Sequence, residues 1–228
     1  MRSLFRPRHP EPVVRAYLEA TPRRPARRMP LAEVPFIVVD AETTGFSIAR
    51  DRMLSLATFA VRAGQIAVNT GRTWLIRQPA ASLTAAVEIH GILPCESAQG
   101  RSEREVLIEL LPLLQGAILV GHHVRFDAEM INAALQRHFG VGLRNPLVDT
   151  AHLAMGALEA FRKSGYANQR PPGLEEVCAH CGIEMMERHT AVGDAFTTAE
   201  VFLVLAARVR LQVRNRPLRL GDLLPVRY

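Results

Sequence analysis

The sequence predicts an α/β fold, a mixed sheet flanked by helices, and three observations carry that expectation. The continuous apolar run Phe36 to Val39 reads as a central strand buried on both faces. Strand-like segments come first and then alternate with helical ones, the order of a mixed sheet with helices packed on it. Finally, 228 residues of which 48% are hydrophobic are enough to bury one sizeable core.

Residues 1–33 carry six prolines and little periodicity except around Val13 to Ala20, so they are expected to be an extension with one short helix. The main domain is placed at 34–207 and a basic tail at 208–228. After the strand at 36–39, Met53 to Val61 and Thr73 to Arg77 are predicted strands, with a turn at Ala63 and Gly64. These three are expected to be antiparallel neighbours. Ser102 to Leu114 is a predicted helix, with Glu105 three residues after Ser102 as a capping box. Ile118 to Val120 is a short strand, and Asp127 to His138 a helix with Met130, Ile131, Ala134, Leu135 and His138 on one stripe. Leu147 and Val148 make the fifth strand, with Asp149 or Thr150 capping the helix that follows. Arg162 to Pro172 reads as a loop. A helix from Leu174 stops at Gly182, and a long final helix runs from near Asp194 to about Val213.

The net charge of +6 is segregated. Residues 1–30 hold eight Arg against two Glu, and residues 208–228 six Arg against one Asp, which leaves 31–207 at −5. Basic ends of this kind attract a polyanion and release its counterions. High-GC coding is an equally good account of the arginines, because Lys163 is the single lysine among 28 basic residues. No apolar run reaches the roughly 18 residues of a membrane span, and Met1 to Pro12 is punctuated by Pro and Arg. Cys95, Cys178 and Cys181 are odd in number and too few for a disulfide scaffold. A soluble, cytoplasmic protein without a membrane partner is expected. Cys178 and Cys181 flank His180 in a CxxC spacing, but no second ligand pair exists, and core packing on one helix face is the preferred reading.

Chemistry is expected where the first strand stops. Asp40 and Glu42, two apart in a strand, point to one face, and ligands of open α/β sheets sit beyond strand carboxyl ends. An ordinary turn over 40–45 would also use such residues. Asp127 opens a helix just past another strand, where a macrodipole interaction of about 0.3–1 kcal/mol is by itself a sufficient reason for a carboxylate. Asp194 opens the last helix, five residues after His189. Four carboxylates meeting in one cleft need divalent cations or raised pKa values. All-oxygen ligands select hard ions, Mg²⁺ or Mn²⁺. Two ions about 3.5–4 Å apart would clamp a scissile phosphate, and a neutral imidazole, with an ordinary pKa of about 6.5, could accept the proton of the attacking water.

The frames Asp40-Ala41-Glu42-Thr43-Thr44-Gly45, then Gly121-His122-His123-Val124-Arg125-Phe126-Asp127, then His189 to Asp194, together resemble the DEDDh 3′ to 5′ exonucleases. That superfamily includes the epsilon proofreading subunit of bacterial DNA polymerase III, ribonuclease T and oligoribonuclease. Ile89 to Ile92 and the pair Asp149, Thr150 are further family-like features, and the resemblance covers about 34–207. It implies a ribonuclease H-like five-stranded mixed sheet, the first three strands antiparallel and two more parallel to the first. By position it implies that Asp40, Glu42 and Asp194 hold a catalytic metal and that Asp40 bridges to a second with Asp127 near it. His189 would be the general base, and Thr43, Thr44, Phe46 and His90 would meet the substrate. Phe46 would wedge against the last base, although it could simply cover the strand end. His123 stands where the family usually has Asn.

The expected function is a two-metal, Mg²⁺- or Mn²⁺-dependent 3′ to 5′ exonuclease that releases nucleoside monophosphates from single-stranded 3′ ends, DNA favoured. A role in DNA replication or repair, with a polymerase or other protein held through the N-terminal extension, accompanies that expectation. An RNA-trimming exoribonuclease and a non-catalytic nucleic-acid-binding module are the alternatives. Motifs do not choose between sugars, since that depends on contacts to one 2′-OH.

Overall fold

The computed structural model describes residues 9–22, 24, 26–78, 87, 90–162 and 170–224. Among them no helix is long and apolar enough to cross a membrane. Five strands, β1 Phe36–Thr43, β2 Met53–Arg62, β3 Gln65–Leu75, β4 Ile118–Gly121 and β5 Leu147–Asp149, form one sheet in the order β3-β2-β1-β4-β5. β1 runs antiparallel to β2, and β2 to β3. β4 is parallel to β1, and β5 to β4.

The apolar run of β1 is buried on both faces because its side chains alternate. Ile37 and Val39 enter one hydrophobic cluster, and Phe36 and Val38 enter the other. Helices α1 Pro12–Ala20, α2 Pro94–Ser97, α3 Glu103–Leu114 and α4 Arg125–Phe139 precede β5, and α5 Thr150–Ala157, α6 Leu174–Cys181, α7 Ala191–Gln212 and α8 Leu220–Leu223 follow it. Residues of α1, α3 and α4 build the first cluster; α5, α6, α7 and α8 build the second. Cys178 belongs to that second core, where burial pushes its thiol up to about 11.

Local chemistry sets the helix ends. Ser102 caps α3 by accepting from the Glu105 N–H, while the Glu105 carboxylate accepts from the Ser102 N–H at 3.0 Å. Asp149 Oδ1 accepts from the Ala151 N–H at 2.9 Å and caps α5. α6 closes on Gly182 with φ +68°. α7 begins three residues before Asp194, because Thr190 is its cap and accepts from the Gly193 N–H at 3.1 Å.

Two expectations shift. The third strand covers Gln65–Leu75 and not Thr73 to Arg77. As the sheet's edge it pairs only with β2 and leaves most of its side chains half-buried or exposed, so it carries little apolar signal. Thr70 hides the irregularity in that pairing, its hydroxyl accepting from the Ala60 N–H at 3.1 Å.

The second shift concerns the chain ends. Helix α1, in the segment set apart as an extension, inserts Val14 and Tyr17 fully into the first core. The Tyr17 hydroxyl donates to Asn145 Oδ1 at 2.8 Å and accepts from the Arg144 N–H at 2.7 Å. Past α7, Leu218, Leu220, Leu223 and Leu224 are buried in the second core, and Pro30 and Arg219 form an antiparallel bridge. Apolar residues at helical spacing inside proline- and arginine-rich ends are what dock them. The predicted loop over 162–172 lies partly outside the described residues, as does Ile89.

Candidate active site

The carboxyl end of β1 delivers Asp40 and Glu42 to the same side, and the first turn of α7 delivers Asp194. One carboxylate oxygen from each lies within 4.8 Å of the other two. Asp194 reaches this point because α7 starts against the preceding loop. A Cβ on Gly193 would collide with the carbonyl oxygens of Met186 and Glu187, so only glycine permits that approach. The loop also holds Glu187 and His189 at positive φ, +41° and +61°.

Asp127, buried in the first turn of α4, stands behind the pair: its Oδ1 accepts from the Ala41 N–H at 3.1 Å. The electrostatic result is a set of carboxyls held up from their ordinary range. Burial, and then the charges of Asp127, Glu42 and Asp194, raise Asp40 well above it. Burial and the Asp194 charge push Glu42 to about 7. Burial pushes Asp127 to about 7 against the stabilising N–H groups of its own backbone and of Ala41. Burial raises Asp194 against the opposing pull of Arg188 and His189.

Such a site is incomplete as four charges and no cation. Asp194 Oδ1 is buried with no hydrogen-bond partner among the described residues, and the donors are all oxygen. The donor set therefore fits a divalent cation of the hard kind.

A cleft of about 410 Å³ opens over these groups. Asp40, Glu42, Thr43, Phe46, His90 and Asp127 line it, whereas Thr44, His189 and Asp194 do not. Asp194 joins through the carboxylate cluster. His189 is exposed, and its backbone N–H donates to Asp194 Oδ2 at 3.3 Å. Thr44 faces its own loop, donating to Asp51 Oδ1 at 2.8 Å. The Thr43 hydroxyl donates to the Gly45 carbonyl at 2.9 Å. His90 is buried, and its Nδ1 accepts from the Ile92 N–H at 3.0 Å. Burial lowers its pKa, partly offset by the Thr43 backbone. Phe46 is 82% exposed and tilts against Phe126, ring centroids 5.9 Å apart, so two aromatic rings form one lip.

Phe126, His122 and His123 also line the cleft, although the sequence did not single them out as site residues. Phe126 could have been found as the aromatic residue beside Asp127. His122 sits between the Thr150 hydroxyl, 2.8 Å from Nδ1, and the Pro172 carbonyl, 2.9 Å from Nε2. A carbonyl only accepts, so Nε2 carries the proton; burial lowers the pKa to about 4 and keeps the ring neutral. His123 takes φ +56°, and its N–H donates to Asp149 Oδ1 at 3.1 Å. Asn and His are both enriched in that left-handed region, which explains how one can replace the other here.

A five-stranded mixed sheet in the order β3-β2-β1-β4-β5, with acidic groups gathered at the end of its central strand, is the ribonuclease H-like exonuclease architecture. Residues 37–202 match the exonuclease family model RNase_T, and the chain belongs to that family, within the DEDDh 3′ to 5′ exonuclease superfamily. It is 30% identical over 171 residues to the PolC-type DNA polymerase III of Thermotoga maritima, a match covering 75% of this chain and 12% of that protein. It is 28% identical over 187 residues to the DNA polymerase III subunit epsilon of Aquifex aeolicus, covering 82% of this chain and 87% of that one. The fold is shared with E. coli Exonuclease I, solved in complex with a dT13 oligonucleotide, at a TM-score of 0.63 and 22% identity over 77% of this chain and 41% of that one. The chain thus spans only a small part of the PolC-type relatives.

Proposed function

We propose that this chain removes nucleoside monophosphates from the 3′ ends of single-stranded nucleic acid by hydrolysis, with DNA favoured over RNA. The observation that carries this reading is the meeting of Asp40, Glu42 and Asp194 at the end of β1, with Asp127 fastened behind them. Family membership gives the reaction class. DNA polymerase III relatives and a DNA-bound structural neighbour support the polymer.

In this reading Asp40, Glu42 and Asp194 hold the cation and Asp127 completes a second position with Asp40. Mg²⁺ or Mn²⁺ bound there would supply Lewis-acid stabilisation to the scissile phosphate. His189 accepts the proton of the attacking water, from an exposed loop that its own backbone N–H ties to Asp194. Phe46, backed by Phe126, stacks on the terminal base, which any base permits. Thr43 and His90 shape the floor beneath the terminal nucleotide. A polymerase is the protein partner that the relatives support.

Digestion of 5′-labelled DNA and RNA oligonucleotides, with free or blocked 3′ ends, tests this in Mg²⁺, in Mn²⁺ and in chelator. A ladder shortening from the free 3′ end, only with metal and faster on DNA, is expected. Asp40→Ala and His189→Ala should each slow it by orders of magnitude. No cleavage of any oligonucleotide in either metal would overturn the proposal.

A further inference from the structure

Residues 27–31 and 218–221, from the two arginine-rich ends and nearly two hundred residues apart in sequence, are joined side by side. The Leu31 N–H donates to the Leu218 carbonyl at 2.9 Å, the Leu220 N–H to Met29 at 3.0 Å and the Gly221 N–H to Arg27 at 2.7 Å. Arg27 further ties the seam by donating to the Gly221 carbonyl at 3.2 Å. Arg210 lines the same groove as Leu31 and Leu218. Arg27, Arg28, Arg210 and Arg214 are exposed and Arg219 is half-buried. Among the described residues Arg27, Arg28, Arg210 and Arg214 have no ion pair, while the charge of Arg219 acts on Asp222. Their segments contribute two carboxylates, Glu33 and Asp222, and Asp222 is already held by Arg216 at 2.7 Å.

This surface lies at the opposite end of β1 from the cleft. Phe36 shares the groove with Arg210, while Glu42 is six residues further along the strand. At roughly 3.3 Å per residue they are about 20 Å apart. Uncompensated guanidinium groups so placed cannot act on the terminal nucleotide. They do suit a sugar-phosphate backbone, whose charges are repeated every few ångströms and whose counterions are released on contact.

We propose that this joined basic surface binds the nucleic-acid backbone distal to the 3′ end, as a second anchoring site separate from the cleft. A strand with its end at Asp40 must cross this distance, on the order of six nucleotides where it stacks at about 3.4 Å each, before it reaches these arginines. Affinity should therefore depend on length, with short oligonucleotides gripped by the cleft alone.

The test is fluorescence anisotropy of labelled dT4 and dT30 in chelator over a salt series, so that binding is read without cleavage. The triple variant Arg28→Ala, Arg210→Ala, Arg214→Ala is expected to weaken dT30 binding by about tenfold or more. It should also lower the salt slope by about two, at roughly 0.7 per phosphate contact on a single strand, while dT4 binding stays within about twofold. The matching triple Lys variant, which keeps the charge, should retain most of the dT30 affinity, and an unchanged thermal melt would confirm intact folding. Equal weakening of dT4 and dT30, unchanged dT30 binding, or a Lys variant as weak as the Ala variant would overturn the proposal. So would displacement of dT30 by a polyglutamate peptide as effective as unlabelled dT30, which would assign the surface to an acidic protein. Failure of the cleavage reaction would leave these binding differences readable, so the two proposals fail separately.

Discussion

The Ala41 N–H donates to Asp127 Oδ1 across 3.1 Å, fastening the first turn of α4 to β1 between Asp40 and Glu42. Asp127 thus has a structural task besides its charge, and two substitutions separate them. Asn keeps an oxygen that can accept this bond, whereas Ala leaves a buried N–H unpaired at a cost of about 1–3 kcal/mol. Asp127→Asn is expected to melt close to or above wild type and Asp127→Ala clearly below it, while both lose exonuclease activity by orders of magnitude. Calorimetry and initial rates check both halves, and an active Asp127→Asn protein would remove the carboxylate from the reaction.

The raised carboxyls make the metal-free protein sensitive to pH. Glu42 and Asp127, each near 7 when folded, lie above their unfolded values of about 4.3 and 3.9. Folded protein then binds more protons, so their stabilising contribution is full below about pH 4 and lost as pH rises through about 7. In chelator the melting temperature should fall between pH 5 and pH 8, and Asp127→Asn should flatten that fall. Added Mg²⁺ should restore the melting temperature at pH 8, because binding to the folded state alone stabilises it. A melting temperature independent of both pH and metal would contradict the cluster's electrostatics.

Gly193 sets where Asp194 sits. Its Cβ-bearing replacement would have to displace the Met186 and Glu187 carbonyls, which are backbone and cannot swing away. Gly193→Ala is expected to cost about 1–3 kcal/mol, the usual range for overpacking. Activity should drop further than stability, by about tenfold or more, since even a small misplacement of a reacting group is expensive. Thermal melts paired with initial rates read this, and a fully active Gly193→Ala protein would mean that the loop yields freely.

Phe46 separates substrate grip from folding. At 82% exposure it contributes little to the core, so Phe46→Ala should change stability by no more than about 0.5 kcal/mol. Stacking on a base is worth about 1–3 kcal/mol, which predicts roughly 5- to 150-fold weaker engagement of the 3′ end, seen as a higher KM. Unchanged KM would reduce Phe46 to a cover for the strand end.

What the sequence disclosed followed the range of each signal. β1 was legible because its apolar run is uninterrupted, and the frames at Asp40, Asp127 and Asp194 because each sits at the junction of a strand or loop with the next element. The sheet order needed family resemblance, since no local pattern says that β4 pairs with β1. β3 was cut short because an edge strand exposes polar residues. Phe46 and Phe126 meet only in three dimensions, and the role of Gly193 depends on carbonyls seven and six residues earlier. The hardest case is the chain ends, whose prolines and arginines mask the few apolar residues that dock them.

Tyr17 gives that last point a measurable form. Its hydroxyl is buried, donates to Asn145 Oδ1 at 2.8 Å and accepts from the Arg144 N–H at 2.7 Å, while Arg144 itself donates to the Leu18 carbonyl at 2.7 Å. Asn145 in turn donates to the Leu114 and Ala117 carbonyls at 2.7 and 2.8 Å, so one phenol links α1 to the end of α3 and the approach to β5. Tyr17→Phe keeps the ring and strips these partners, which at about 1–3 kcal/mol for the unsatisfied groups corresponds to a loss of several degrees in Tm. The carboxylates are untouched, so the rate per folded molecule should hold. If the segment were a separate extension, Tm would not move. A lower Tm with an unchanged rate at low temperature would make residues 12–22 part of the domain's core.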